Sequence, residues 1–364
     1  LKVGILCPKA YGLLDPNTIT NYGGAEVQFF LLAKQLATYH DIQVDFITAD
    51  YGQERTINKE NIRWIKSLNF KSNIGIQAIK LLKAMLCSDA DTYLQITVTP
   101  YSFVLAIICR MLRRKFILFV AHDKESDSSW ENNAAAMQKW MLKRAWLYNH
   151  SIIVQNNYQH QALLKKGVQS YIIPNWMPIT IPATTPTLSY HLWMARAEKF
   201  KRPEIAIELA RRHPLQKFMI ICPPVDGTDM SYYDTLKSQA SACKNIIFID
   251  KYIPYAQLDS IFSSAISHIV TSDAEGFATT ILQAGLHKIP IYSLAINTNE
   301  FITTYHTGYF ANHDIEDFYT NFSTFVQELP NKNYGKNMHD YVCKNHDIIK
   351  NTAIIYKIIT TGSL

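Results

Sequence analysis

TSDAEGFATTILQAGLHKIPIYS, residues 271–293, carries a strand end, a turn, a helix and the start of another strand. The apolar run SHIVTS (267–272) stops at Ser272, and Glu275-Gly276-Phe277 turns the chain. A helix then opens near Ala278 or Thr279, and IPIYS (289–293) resumes extended structure. This order places the N–H groups of Ala278, Thr279 and Thr280 at a helix N-terminus, where the aligned peptide dipoles suit an anion such as a diphosphate. Gly276 lets the backbone approach a ligand closely. Thr279 and Thr280 can equally serve as plain capping residues.

The same alternation fills the chain in both directions. The first half offers strands VGILC (3–7), VDFIT (44–48), NIRWI (61–65), TYLQI (92–96), FILFVA (116–121), SIIVQ (151–155) and YIIP (171–174). Helical patterns lie between them at 25–38, 74–87, 101–113, 130–148 and 156–166. PNWMPITIPATTPT (174–187) interrupts the pattern, with prolines that suit neither a helix interior nor a central strand. The alternation restarts with YHLWMA (190–195), KFMIIC (217–222), NIIFID (245–250), SHIVTS, IPIYS and TGYF (307–310). Its helices are expected at 201–212, 230–243, 255–263, 277–286 and 313–328, with a final one at 347–359. Strand-then-helix order predicts an α/β protein with parallel sheets covered on both faces. We therefore expect two Rossmann-like, doubly wound domains, 1–180 and 181–346, followed by a C-terminal helix in 347–364. Ligands of such sheets bind beyond the carboxyl ends of the strands, so a cleft between the two domains is the expected active site.

Three further stretches place polar groups at strand ends. In LWMARAEKFKRPEIAIELARRHP (192–214), Arg196 ends a strand and Lys201 opens a helix, and the two cations suit an anionic leaving group. Lys201 is expected to have an unpacked head group. Gly23-Gly24 in NYGGAEVQFFLLAKQLA (21–37) opens the first helix without forming G-x-G-x-x-G, which leaves nicotinamide binding unsupported. His122-Asp123 follows directly on the apolar strand 116–121, at its carboxyl end. Each has a plainer alternative: surface charge, a flexible turn, a structural histidine.

Composition bounds the class. The chain has 364 residues, 48% hydrophobic and 18% charged, which is globular and long enough for two domains. Its six cysteines are scattered without a C-x-x-C pair, so neither a zinc site nor a disulfide framework is expected, and a reducing cytosol fits. LKVGILCP reads as a buried first strand rather than a signal peptide. The apolar stretch 101–122 is interrupted by Arg110, Arg113, Arg114 and Lys115, which excludes a membrane span there. D-A-D at 89–91 precedes a strand and reads as surface. The net charge of +6 is uneven: residues 1–180 hold 20 Lys and Arg against 13 Asp and Glu, and residues 181–364 hold 16 against 17. An excess confined to one half points to an anionic partner, a membrane surface or a phosphate-bearing acceptor.

Taken together these stretches resemble glycosyltransferase family 4. EGFATTILQAG resembles the family's Glu-Gly-Phe-Gly signature, with Gln283 standing where a second glutamate is usual. The Arg196-to-Lys201 spacing, the GGAE loop at Gly23–Glu26 and His122-Asp123 match further family elements. PNW at 174–176 resembles the family's Pro-Asn-Gly junction, with Trp176 in place of glycine. The resemblance implies the GT-B fold, with the C-terminal helix returning to the first domain. It implies that Arg196 and Lys201 hold a donor diphosphate together with the backbone at Gly276, Phe277, Ala278, Thr279 and Thr280. Gly23 and Gly24 would approach the phosphates or sugar, Glu275 the transferred sugar, and His122 the reacting centre, with Gln283 at the ribose. A retaining, metal-independent transferase follows, using a UDP- or GDP-linked sugar, no cofactor and no nucleic acid. Its acceptor would be a glycan or lipid-linked molecule, as in bacterial surface polysaccharide assembly, with a cytoplasmic location and peripheral contact with an anionic membrane. Two rivals are a non-catalytic GT-B binding subunit, favoured by Gln283, and a GT-B epimerase.

Overall fold

The computed structural model of the chain describes residues 1–16, 18, 22–39, 41–179, 189–225 and 227–362. Residues 180–187 of the proline-rich stretch lie outside the described residues. The chain divides into two compact units: Leu1–Pro178 with Asp347–Leu364, and Ile179–His346.

The first unit is built on β1 (Lys2–Leu6), β2 (Gln43–Thr48), β3 (Thr56–Lys59), β4 (Ile62–Lys66), β5 (Thr92–Ile96), β6 (Lys115–Phe119), β7 (Ser151–Val154) and β8 (Tyr171–Ile172). They form one sheet in the order β3-β4-β2-β1-β5-β6-β7-β8. Every pairing is parallel except β3 with β4. The parallel strands are largely buried because helices cover both faces; β5 is buried at every position. On one face Leu81, Ala84 and Met85 of helix Ile74–Ser88, Leu105 and Cys109 of helix Pro100–Met111, and Leu142 of helix Ala136–Arg144 share one core with the strands. The other face takes helix Gly24–Leu36, whose Phe29 meets Phe119 edge-on at 5.0 Å.

The C-terminal helix, Ile348–Thr361, belongs to this first unit, as the resemblance implies. It packs on helix Gly24–Leu36; Tyr356 stacks on Tyr39 at 4.9 Å and donates to Asp41 at 2.6 Å. Trp176 ties the chain to that same helix, since its backbone N–H and its Nε1 donate to Gln28 at 2.8 and 2.9 Å.

The second unit holds β9 (Tyr190–Met194), β10 (Phe218–Ile221), β11 (Ile246–Ile249), β12 (Ala265–Val270), β13 (Ile291–Ser293) and β14 (Gly308–Phe310). Their order is β11-β10-β9-β12-β13-β14, all parallel. The chain runs outward from β9 to one edge, then returns to β12 and runs to the other. The strand order therefore reverses between β9 and β12, the position where a doubly wound sheet leaves a crevice at its carboxyl edge. Under β13 an aromatic cluster closes the core: Tyr292 lies within 5.1 Å of the rings of Tyr309, Phe318, Phe322 and Phe325.

Several expected elements differ. The antiparallel edge strand β3 (TINK) is polar and mostly exposed, and carries no apolar run. Helix Tyr334–Asn345 was not expected; only Met338, Tyr341 and Val342 of its polar sequence are buried. The pattern at 130–148 resolves into a 3-10 turn, Trp130–Asn133, and a shorter helix, Ala136–Arg144. The pattern at 313–328 breaks at Asn321 into Ile315–Thr320 and Phe322–Glu328. Lys201 ends a 3-10 turn, Lys199–Lys201, instead of opening a helix. Arg202 then takes a left-handed conformation (φ 54°) ahead of Pro203, which opens helix Pro203–Arg212 at the position where a missing N–H costs nothing.

Candidate active site

In the second unit the loops after β9 and β12 meet at the reversal of strand order and are laced together. Trp193 Nε1 donates to the Thr271 hydroxyl at 2.8 Å, and that hydroxyl faces the carbonyls of Lys201 and Arg202 at 2.7 and 2.9 Å. The Asp273 N–H donates to the Phe200 carbonyl at 2.8 Å. Arg202 completes the lacing, reaching the Asp273 carboxylate at 3.0 Å and Glu204 at 2.7 Å.

This scaffold brings Lys201 and Glu275 together. The Lys201 ammonium donates to Glu275 Oε1, with the two side chains only 13% and 9% exposed. The expectation of an unpacked Lys201 head group is therefore corrected: the ammonium is the counter-ion of a buried carboxylate. Arg196 stands apart from that pair. Its guanidinium is 3.2 Å from Glu198, and its side chain is 41% exposed.

Beyond Glu275 the chain enters helix Thr279–Leu286 through Ala278, which is its N-cap and caps with no side chain. The first bond into the helix is from the Ile281 N–H to the Ala278 carbonyl, 2.9 Å. The threonines are thus not the caps. The Thr280 hydroxyl is 3.1 Å from Nε2 of the buried His268, whose Nδ1 lies 3.1 Å from the Leu192 carbonyl. A carbonyl only accepts, so Nδ1 carries the proton and Thr280 donates to Nε2. Burial drives the His268 pKa down to about 4, which keeps the ring neutral. Phe277 turns its ring inward, 4.4 Å from His346 and 5.2 Å from Phe301, and anchors the loop by packing. The Gly276 carbonyl accepts from Thr298 at 2.9 Å. Gln283 is buried on the same helix and hydrogen-bonds the Tyr255 hydroxyl, whose pKa burial raises to about 12.

In the first unit, Gly23 is the extended N-cap of helix Gly24–Leu36, and its N–H donates to Glu26 at 2.7 Å. His122 follows β6 and caps the short helix Asp123–Ser126; its Nδ1 accepts the Lys124 N–H at 3.1 Å, and its ring stands edge-on to Trp130. Asp123 accepts from Asn156 and Gln159, each at 2.9 Å, tying the loop after β6 to the one after β7. Sequence reasoning missed Glu125. One of its carboxylate oxygens accepts the N–H groups of Val98 (3.0 Å) and Ala121 (3.1 Å), joining the ends of β5 and β6 beneath His122. Burial raises its pKa to about 8. Its place two residues past the His-Asp pair was the one available signal.

Asp89 and Asp91 of D-A-D both pair with Arg114 at the sheet's amino edge. Among the described residues no group of three or more His, Cys, Asp or Glu is placed to hold a metal.

No protein-family model and no curated protein matches the chain by sequence. Solved structures do match. Sucrose-phosphate synthase from Thermosynechococcus elongatus has a TM-score of 0.80 at 14% identity, over 100% of both chains. HepE from Anabaena, in complex with UDP and glucose, has a TM-score of 0.75 at 14% identity, over 99% of this chain and 100% of its own. The fold is GT-B. TarM from S. aureus, in a complex containing UDP, is similar too, at TM-score 0.71 and 14% identity over 100% of both chains. At these identities the likeness is one of GT-B architecture. The pairing of Lys201 with Glu275 rests on this chain's own geometry.

Proposed function

We propose that the chain is a glycosyltransferase that takes a sugar from a UDP- or GDP-linked donor held by its second unit. The observation that carries this reading is the Lys201–Glu275 pair at the strand-order reversal, beside the N-terminus of helix Thr279–Leu286. Breaking the bond between sugar and nucleotide builds negative charge on the departing phosphate oxygen. A fixed ammonium and a helix N-terminus aimed at one crevice stabilise that charge without reorganising, and each such contact is worth roughly 3–4 kcal/mol in the transition state. Arg196 adds a second cation once it leaves Glu198. Glu275, released from Lys201 by the diphosphate, accepts hydrogen bonds from the sugar's hydroxyls.

The remaining assignments follow the family resemblance. Gln283 takes the ribose, and Gly23, Gly24 and His122 serve the reaction from the first unit, which receives a glycan or lipid-linked acceptor. The transfer retains configuration and needs no metal, as suits surface polysaccharide assembly at the cytoplasmic side of a membrane. Support comes from the GT-B neighbours in complex with UDP and from the basic excess of the first 180 residues. The test is a thermal-shift screen with UDP, GDP, ADP and their sugars, followed by product analysis with any donor that binds. A ligand at a hundred times its Kd adds about 2.7 kcal/mol. No stabilisation by any nucleotide would overturn the reading.

Gln283 favours one other reading, a GT-B subunit that binds its ligand without turnover. Glutamine accepts and donates single bonds but lacks the charge-assisted strength of a carboxylate. Gln283→Glu is therefore expected to tighten donor binding about tenfold, read by calorimetry. Slow hydrolysis of a bound nucleotide sugar by the unaltered chain would exclude the non-catalytic reading.

A further inference from the structure

His268 lies within β12 and is only 1% exposed. Burying an imidazole is costly unless its polar atoms find partners. Both nitrogens do, and the partners belong to different elements. Nδ1 donates to the Leu192 carbonyl on β9, and Nε2 accepts from the Thr280 hydroxyl in the first turn of helix Thr279–Leu286, each at 3.1 Å. Turning the ring over would break both bonds, and it is packed edge-on to the fully buried Phe262 at 5.8 Å. It therefore has one tautomer and one orientation. Burial keeps it neutral, so Nε2 remains an acceptor. Two strands at the reversal of strand order are thereby tied to the start of the helix that opens beside them.

That helix start leaves its own donors open. Ala278, the N-cap, has no side-chain oxygen to offer, and among the described residues no acceptor meets the N–H of Thr279 or Thr280. Helices commonly cover these donors with a serine, threonine, aspartate or asparagine at the N-cap. Threonine hydroxyls near a helix start also turn back onto local backbone groups. Here the hydroxyl of Thr280 is committed to His268 instead, on the side facing the sheet. The other end of the helix is fixed by Gly285, which lies close against Met338 and Val342. Held at both ends, the helix keeps the two amides in place.

We propose that His268 is a positioning residue for phosphate: by holding the Thr280 hydroxyl and fixing the first turn to β9 and β12, it keeps the Thr279 and Thr280 N–H groups open to an anionic oxygen. It touches no ligand itself. The role rests on the donor site proposed above and adds to it a residue outside the crevice.

The experiment is titration of the full chain with UDP, GDP and ADP, and with the matching nucleosides, which carry no phosphate. His268→Phe keeps a ring but cannot accept from Thr280, and Thr280→Val removes the hydroxyl while keeping its shape. Each should weaken the diphosphate that binds the unaltered chain about tenfold, the worth of one hydrogen bond, and the two together should weaken it no further. The matching nucleoside should bind every variant equally. His268→Gln, whose amide oxygen can accept from Thr280, should recover most of the loss, which packing alone would not produce. If His268→Phe does not fold, Thr280→Val still decides. With no ligand added, ring-nitrogen NMR should show His268 Nε2 without a proton, and its signal should move in Thr280→Val. Unchanged diphosphate affinity in Thr280→Val, an equal loss of the nucleoside, or a proton on Nε2 would overturn this role and leave the donor site standing. No binding of any of the three diphosphates to the unaltered chain would remove the donor site, and this role with it.

Discussion

Lys201 and Glu275 form one ion pair whose part in stability can be measured apart from the chemistry proposed for it. With the ammonium removed, the nearly buried Glu275 carboxylate loses the cation that faces it. Lys201→Ala should therefore cost roughly 3 kcal/mol in a denaturant melt, and pairing Lys201→Met with Glu275→Gln should recover most of it. An unchanged midpoint for Lys201→Ala would show the pair to be loose. Glu125 offers a second test through pH. Its folded pKa of about 8 lies above the ordinary carboxylate value, so its stabilising contribution is complete below about pH 4 and is lost as pH climbs through 8. The slope between those limits is at most about 1.4 kcal/mol per pH unit. Glu125→Gln keeps an acceptor for Val98 and Ala121 without the ionisation, and its melting temperature should stay flatter from pH 5 to 8. Parallel pH profiles for the two proteins would contradict this assignment. Residue types at strand ends made Lys201, Glu275 and His122 readable from sequence. The roles of Thr280 and Phe277 were not, because their partners His268, Phe301 and His346 become neighbours only through folding.

At the scale of elements, the central strands were legible because a strand buried on both faces is mostly apolar, as the runs within the fully buried β5 and β7 are. Edge strand β3 escaped because one partner strand and a wet surface impose no such pattern. Helix Tyr334–Asn345 escaped for a related reason: its buried stripe is narrow, and much of its fit comes from a neighbour's glycine. Gly285 sits on helix Thr279–Leu286 where a Cβ would run into Val342 Cγ2 and stand 3.2 Å from the Met338 carbonyl. Val342 is fully buried and has nowhere to move. Gly285→Ala should force the two helices apart and cost about 1–3 kcal/mol by thermal melt, exceeding the small gain alanine brings to a helix. Since that helix begins at the crevice, the same variant should weaken nucleotide binding. Unaltered stability would mean the helices are not in close contact.

For the whole molecule, strand-helix alternation and the proline-rich interruption are coarse features and were sufficient for two doubly wound units, while the return of the closing helix to the first unit came from the family resemblance. It did not reveal that the donor-side cation is held by the carboxylate proposed to meet the sugar, since a pairing between residues so far apart in the chain leaves no mark in one dimension. That internal pairing makes the central claim directly measurable. A diphosphate entering the crevice competes with Glu275 for Lys201, so Glu275→Gln should bind nucleoside diphosphate at least as tightly as the unaltered chain. Adding Lys201→Met to it removes the cation without stranding a buried charge. The measurement is titration calorimetry of UDP, GDP and ADP into Glu275→Gln and into Glu275→Gln with Lys201→Met. One nucleotide should bind the first variant and bind the second roughly tenfold to a hundredfold more weakly, the worth of a charge-assisted hydrogen bond. Equal affinity for both variants, or no binding of any nucleotide to either, would contradict a donor site at this crevice.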